Sequence, residues 1–321
     1  MACVGMGDRM KKRILAGVAA LACAVAIATT AFALVPEKSK DAAKTRAAPI
    51  AGEEIWPMPI DRFLAGKFLE RSDVVLTRRD GDAVSYLIRW ATGSIFSHAA
   101  LVFSGPQFES GYTSTFVIEA GTGGVDLTKL DDYVTDKSSF LAVKRLRKPW
   151  FDEPKQSRVR GIMLEKIKAG YNYWAVGRIA RNIWFGVQQK LQGKEKTIEA
   201  YRNRAWTPPQ EFICSGLVQL GFIEAALSFI DSGQLPPATL TDVVFHKDAL
   251  SRLPDPASWQ YFEKAQAKET AMAFRQQLYY ELESVTPEDI ATSDNLEWLY
   301  FIQGGQVHKV ASYDDVKKLI K

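Results

Sequence analysis

Cysteine and histidine are scarce in this chain, with three of each in 321 residues. Cys3 and Cys23 fall within the first 33 residues, so Cys214 stands alone in the body and a disulfide framework there is excluded. Charge of one sign is equally short. The formal net charge is +4, and Arg9, Lys11, Lys12 and Arg13 near the N-terminus supply most of it. The body is therefore close to neutral, which does not suit a nucleic-acid-binding surface. No internal repeat is evident. The composition, 47% hydrophobic and 24% charged, excludes a disordered or fibrous chain.

What is present begins with a leader. Lys11, Lys12 and Arg13 precede an uncharged run from Ile14 to Val35, and Ala31-Phe32-Ala33 places small residues where a signal peptidase reads. As a helix the run spans roughly 33 Å at about 1.5 Å per residue, matching a hydrocarbon core of about 30 Å. Residues 1–33 are expected to be a signal peptide or a membrane anchor, with membrane association through residues 14–35. The body is then exported, either periplasmic or facing outward from the cytoplasmic membrane. Ala20-Leu21-Ala22 before Cys23 is a poor lipidation signal. Residues 34–57, rich in Ala, Pro and charge, read as a tether, and 58–321 as the folded domain.

The domain alternates short apolar runs with short connections. Val74 to Thr77 is a β-type run, and Ala83 to Trp90 has apolar residues at helical spacing. His98 opens a strand that reaches Phe103. Phe116 to Ala120 is a second strand with Glu119 inside it, ended by Gly121, Gly123 and Gly124. Phe140 to Val143 leads into a basic stretch, Lys144 to Lys148. Short connections predict an antiparallel sheet and an α+β fold. Helices are expected over Val159 to Ala169, over an apolar stripe from Val176 to Leu191, and over Ala257 to Leu282. Thr286 and Pro287 mark a helix start, Gly304-Gly305 a hairpin, and Ser312 with Asp315 a further cap.

Helical periodicity also begins at Cys214 itself. A thiol at a helix N-terminus meets the macrodipole and unpaired N–H groups, which favour thiolate. If the two strands pair, Glu119 orients and charges the His98 imidazole, and His98 withdraws the proton from Cys214. Each residue alone has a structural alternative: the cysteine as core packing, and Glu119 as a partner of Lys144 or Arg145. Tyr171, Tyr173 and Trp174 suit either a substrate groove or core packing. A zinc site of His98, Glu119 and Cys214 lacks close ligand spacing. His246 and His308 lie away from every motif.

At Ser97-His98, Ile118-Glu119-Ala120 and Cys214-Ser215-Gly216-Leu217-Val218 the chain resembles the circularly permuted papain-like amidases of the YiiX type, a branch of the NlpC-like cysteine hydrolases. Ser72-Asp73-Val74-Val75-Leu76, Gly170-Tyr171-Asn172-Tyr173 and Thr286-Pro287-Glu288-Asp289-Ile290 extend the resemblance, which covers about residues 70 to 220 plus that tail. Residues 175–210 and 225–285 look like helical insertions. Gly216 departs from the pattern, since many relatives carry an acidic residue there. The resemblance implies a permuted papain-like sheet with packed helices and a cysteine-dependent amidase or peptidase. Cys214 would be the nucleophile, His98 the base and Glu119 the orienting residue, with the Cys214 backbone N–H in an oxyanion hole. Tyr171 and Tyr173 are the expected substrate-binding residues. No cofactor, metal or nucleic acid is implied, and the substrate is a small-molecule, peptide or lipid-like amide. A lipid acyltransferase or lipase-like enzyme on the same scaffold, or a non-catalytic exported binding module, are the alternatives.

Overall fold

The computed structural model describes residues 55–66, 68–78, 83–107, 113–134, 139–171, 211–246 and 285–320, all within the compact unit Arg46–Lys321. The leader, the stripe over 176–191, the helix over 257–282 and residues Tyr173 and Trp174 lie outside the described residues.

The strands are β1 (Met58–Pro59), β2 (Val74–Arg78), β3 (His98–Ser104), β4 (Phe116–Gly121), β5 (Gly124–Lys129), β6 (Phe140–Arg145), β7 (Gly170–Tyr171), β8 (Glu211–Phe212), β9 (Glu297–Gln303) and β10 (Gln306–Lys309). Eight of them form one sheet in the order β1-β10-β9-β6-β2-β3-β4-β5, with every pair antiparallel. β7 and β8 make a separate parallel pair. The helices are α1 (Ile60–Ala65), α2 (Ala83–Thr92), α3 (Asp131–Val134), α4 (Glu153–Leu164), α5 (Cys214–Asp231), α6 (Pro287–Thr292) and α7 (Tyr313–Leu319), with a 3₁₀ segment over Pro237–Val243. The chain is thus α+β, built on an antiparallel sheet.

The strands read as continuous apolar runs because both faces of the sheet are covered. Val74, Leu76, Ala99, Leu101, Ile118, Ala120 and Ala142 alternate onto one face, against Val159 and Met163 of α4 and Leu217 and Val218 of α5. Val75, Ala100, Val102, Val117, Leu141 and Val143 point the other way, onto Met58, Phe63 and Leu64. Helix α5 is long and apolar enough to cross a membrane, yet it is 78% buried inside the protein, so its hydropathy is that of a core helix. Two glycines in left-handed backbone, Gly304 (φ 58°) and Gly305 (φ 79°), close the β9–β10 hairpin where the sequence indicated it. The Thr286 cap is a full capping box with Asp289, and Ser312 accepts from the Asp315 N–H.

Four local expectations are corrected. Helix α4 starts at Glu153, because Asp152 caps it and Pro154 sits in its first turn. It stops at Leu164, before the chain turns at Lys168 to pair with Val125 of β5 through N–H···O bonds of 2.9 Å in both directions. Strand β5 itself was not anticipated. The tether ends before Trp56, whose ring stacks on Tyr300 at 5.5 Å and meets Phe63 and Phe68 edge-on. The basic stretch is not a patch. Lys144 is fully buried and donates to the carbonyls of Ile290, Ala291 and Ser293 at the end of α6. Arg145 binds Asp73 and Glu70, Arg147 pairs with Glu297, and Lys148 pairs with Asp242.

Candidate active site

Cys214 is the first residue of α5. Ile213 before it is extended (φ −85°, ψ 157°) and offers no side-chain cap, so the first N–H groups of the helix lack a capping oxygen. Two buried polar side chains fix the first two turns. Ser215 Oγ donates to the Val285 carbonyl at 2.7 Å, and Gln219 bridges the Val243 carbonyl (2.5 Å) and the Phe245 N–H (2.7 Å). Together they tie the start of α5 to the segments at 243–245 and 285. Neither was visible as a site feature in the sequence, because their partners come from distant segments.

His98 and Glu119 are brought together by strand register. Thr77 of β2 is opposite His98, and Leu101 of β3 is opposite Ile118 of β4. The pairing places Glu119 diagonally from His98 on the same face of the sheet. His98 Nε2 and Glu119 Oε2 form a short hydrogen-bonded ion pair. Thr128 of β5 donates to Glu119 Oε1 at 2.6 Å, and the Tyr133 hydroxyl of α3 donates to Oε2. The Tyr133 ring also stacks on the imidazole, with centroids 6.2 Å apart and planes 17° from parallel. Glu119 is 8% exposed and Cys214 2% exposed. Lys144 and Arg145, the structural alternatives for Glu119, are bound elsewhere.

The thiol joins this pair at the end of the strands. β4 pairs with β3 only from Leu101 onward, and the N–H of Ala99, just short of that pairing, hydrogen-bonds the Cys214 sulfur. The Ser215 N–H does the same, and His98 is the third partner. With Nε2 held by Glu119, Nδ1 is the ring nitrogen left for the thiol.

Burial disfavours charge on all three groups, and their mutual contacts overcome it. Burial alone lowers His98, but the charges of Cys214 and Glu119 raise it to about 10. Burial alone raises Glu119, but His98, then Thr128 and Tyr133, hold it at about 2. Burial raises the thiol, whereas His98 and the N–H groups of Ala99 and Ser215 bring it below the usual range. These contacts favour the thiolate, the imidazolium and the ionised carboxylate against the cost of burying their charge.

β7 pairs Gly170 with Glu211 and Tyr171 with Phe212, two residues ahead of Cys214. Gly124 has φ 104°, and a Cβ there would stand 2.5 Å from the Ala169 carbonyl oxygen, so only glycine lets this segment lie against the β4–β5 hairpin. The Tyr171 side chain and all of Tyr173 lie outside what is described. His246 is 3.9 Å from Asp289, and His308 sits on β10; neither joins the site. Among the described residues no group of three or more histidine, cysteine, aspartate or glutamate side chains is arranged to hold a metal ion. Sequence reasoning missed Thr128 and Tyr133. The Val125–Leu127 alternation was a signal for β5, but nothing local marks Tyr133.

No protein-family model matches the chain, and no curated protein sequence matches it.

Proposed function

We propose that the protein is a cysteine hydrolase that cleaves an amide bond through an acyl-enzyme on Cys214, in the manner of the permuted papain-like amidases it resembles. The observation that carries the reading is the His98 imidazole held between the Cys214 thiol and the Glu119 carboxylate. In the resting pair His98 already holds the thiol proton. The thiolate attacks the amide carbonyl carbon, and the oxygen takes up negative charge near the N–H groups at the start of α5. Collapse breaks the C–N bond, and the imidazolium gives its proton to the leaving amine. Water then attacks the thioester, His98 takes its proton, and breaking of the C–S bond releases the acid and returns the thiolate beside the imidazolium. Glu119 keeps the ring oriented and stabilises its charge in both halves.

The leader supports a body outside the cytoplasmic membrane, where amides of the cell envelope are the available substrate class. The chemistry is tested by incubating the wild-type protein and Cys214→Ala with a cell-envelope extract and weighing the peptide that contains position 214. An acyl mass on Cys214, absent from the variant, is expected. A thiol that resists iodoacetamide at pH 5.5 and carries no adduct overturns the reading. Recovery of the full-length chain from cytosol alone overturns the location.

A further inference from the structure

Tyr133 touches both groups that act on the thiol. Its hydroxyl donates to the same Glu119 oxygen that binds His98, and its ring lies nearly parallel to the imidazole. The tyrosine is itself held in place. Leu130, fully buried, anchors the turn: its N–H donates to the Thr115 carbonyl at 2.9 Å, and its carbonyl accepts from the Tyr133 N–H at 3.1 Å.

We propose that Tyr133 is a positioning residue of the thiol site, fixing the Glu119 carboxylate with its hydroxyl and the His98 ring with its face. This rests on the hydrolase reading above. The physical need for it is specific. Glu119 accepts from His98, Thr128 and Tyr133, but its cross-strand neighbour on β5 is Asp126, and α3 carries Asp131 and Asp132 beside Tyr133. Cys214 adds a further negative charge across the ring. Burial works hardest against the Glu119 charge, and the three donors hold the carboxylate ionised against it. Thr128 reaches only Oε1, so Oε2 depends on His98 and Tyr133. Without the hydroxyl, protonation of Glu119 becomes easier and His98 loses its counter-charge sooner on acidification. Without the ring, the imidazole loses the wall that fixes its rotation, and productive geometry with the thiol is populated less.

Hydroxyl and ring are separable. Tyr133→Phe keeps the ring, and Tyr133→Leu keeps apolar bulk without the stack. The rate of iodoacetamide alkylation at Cys214 is measured against pH for the wild type and both variants, using the full chain. For Tyr133→Phe the neutral rate is expected within about twofold of wild type, while the acidic limb moves up by roughly half a pH unit or more. For Tyr133→Leu the neutral rate is also expected to fall, by about tenfold, with phenylalanine restoring it. The Glu119 carboxyl ¹³C titration, followed by NMR, is the second measurement and needs no reactive thiol; Tyr133→Phe is expected to move its midpoint upward. Profiles and midpoints that superimpose on wild type, with only thermal stability lowered, overturn the positioning role. An unreactive wild-type thiol would instead strike the hydrolase reading, leaving the Glu119 titration to decide about Tyr133.

Discussion

Two clusters of buried charge lie on the same sheet, and they are built differently. At the start of β3, His98, Glu119 and Cys214 share charges that exist only because a proton sits on one group rather than another. At the junction of β2 and β6, Arg145 grips Asp73 with Nε to Oδ1 at 2.6 Å and Nη2 to Oδ2 at 2.8 Å, binds Glu70, and donates to the Phe68 carbonyl at 3.1 Å. Asp73 also accepts from the Glu70 N–H at 2.8 Å. Guanidinium does not give up its proton, so Arg145 keeps its charge throughout and the cluster shapes the chain from Phe68 to Asp73. Buried charge alone does not distinguish chemistry from architecture. A proton with two places to reside does.

Substitutions separate the two clusters, most strongly at the thiol. Cys214→Ala is expected to abolish alkylation and turnover while changing stability by no more than about 1–2 kcal/mol, because a small side chain loses little packing; activity assays beside urea unfolding check both halves. Arg145→Met should do the reverse. It leaves Asp73 buried without its partner and costs about 3–5 kcal/mol in the same unfolding assay, whereas thiol reactivity of the folded fraction stays near wild type. Glu119→Gln is intermediate: it keeps the shape, removes the charge, slows alkylation at neutral pH and shifts the reactive limb upward. Superimposable alkylation profiles would remove Glu119 from the site.

The smallest effect is the sharpest, since the two carboxylates should answer pH with opposite sign. Glu119 is held at about 2 in the fold, against an ordinary value near 4.5. Its stabilisation is complete above the ordinary value and is lost as pH falls towards 2. Burial pushes Asp73 up to about 6 despite Arg145. The fold therefore favours its protonated form, and that contribution, complete below about 3.8, is lost as pH rises through 6. In urea midpoints taken across the acidic range, the gap between wild type and Glu119→Gln should widen as pH rises from about 2.5 to 5, while the gap for Asp73→Asn should narrow from about 4 to 7.

The parts of the site that the sequence made legible are those set by short-range rules. A helix starting at Cys214, a strand starting at His98 and a carboxylate inside the next strand each follow from periodicity over a few residues. The β9–β10 turn and the Thr286 cap follow from local chemistry in the same way. Thr128 and Tyr133 were invisible because their contacts need the register of β4 against β5 plus one further turn of chain. Arg145 was legible as a structural charge, but its partner was not, since Asp73 is far away in sequence. The start of α4 was missed although Asp152 and Pro154 announce it, because the apolar spacing begins only at Val159.

Pairing of β7 with β8 has a consequence for how such a chain can diversify. Gly170 and Tyr171 lie side by side with Glu211 and Phe212, just ahead of Cys214. Closing a longer excursion between fixed ends costs little, about 0.6 kcal/mol for each doubling of its length. The sheet that holds His98 and Glu119 therefore fixes only the two ends of this connection, Tyr171 and Glu211, and its length can change at little cost to the frame that carries the nucleophile.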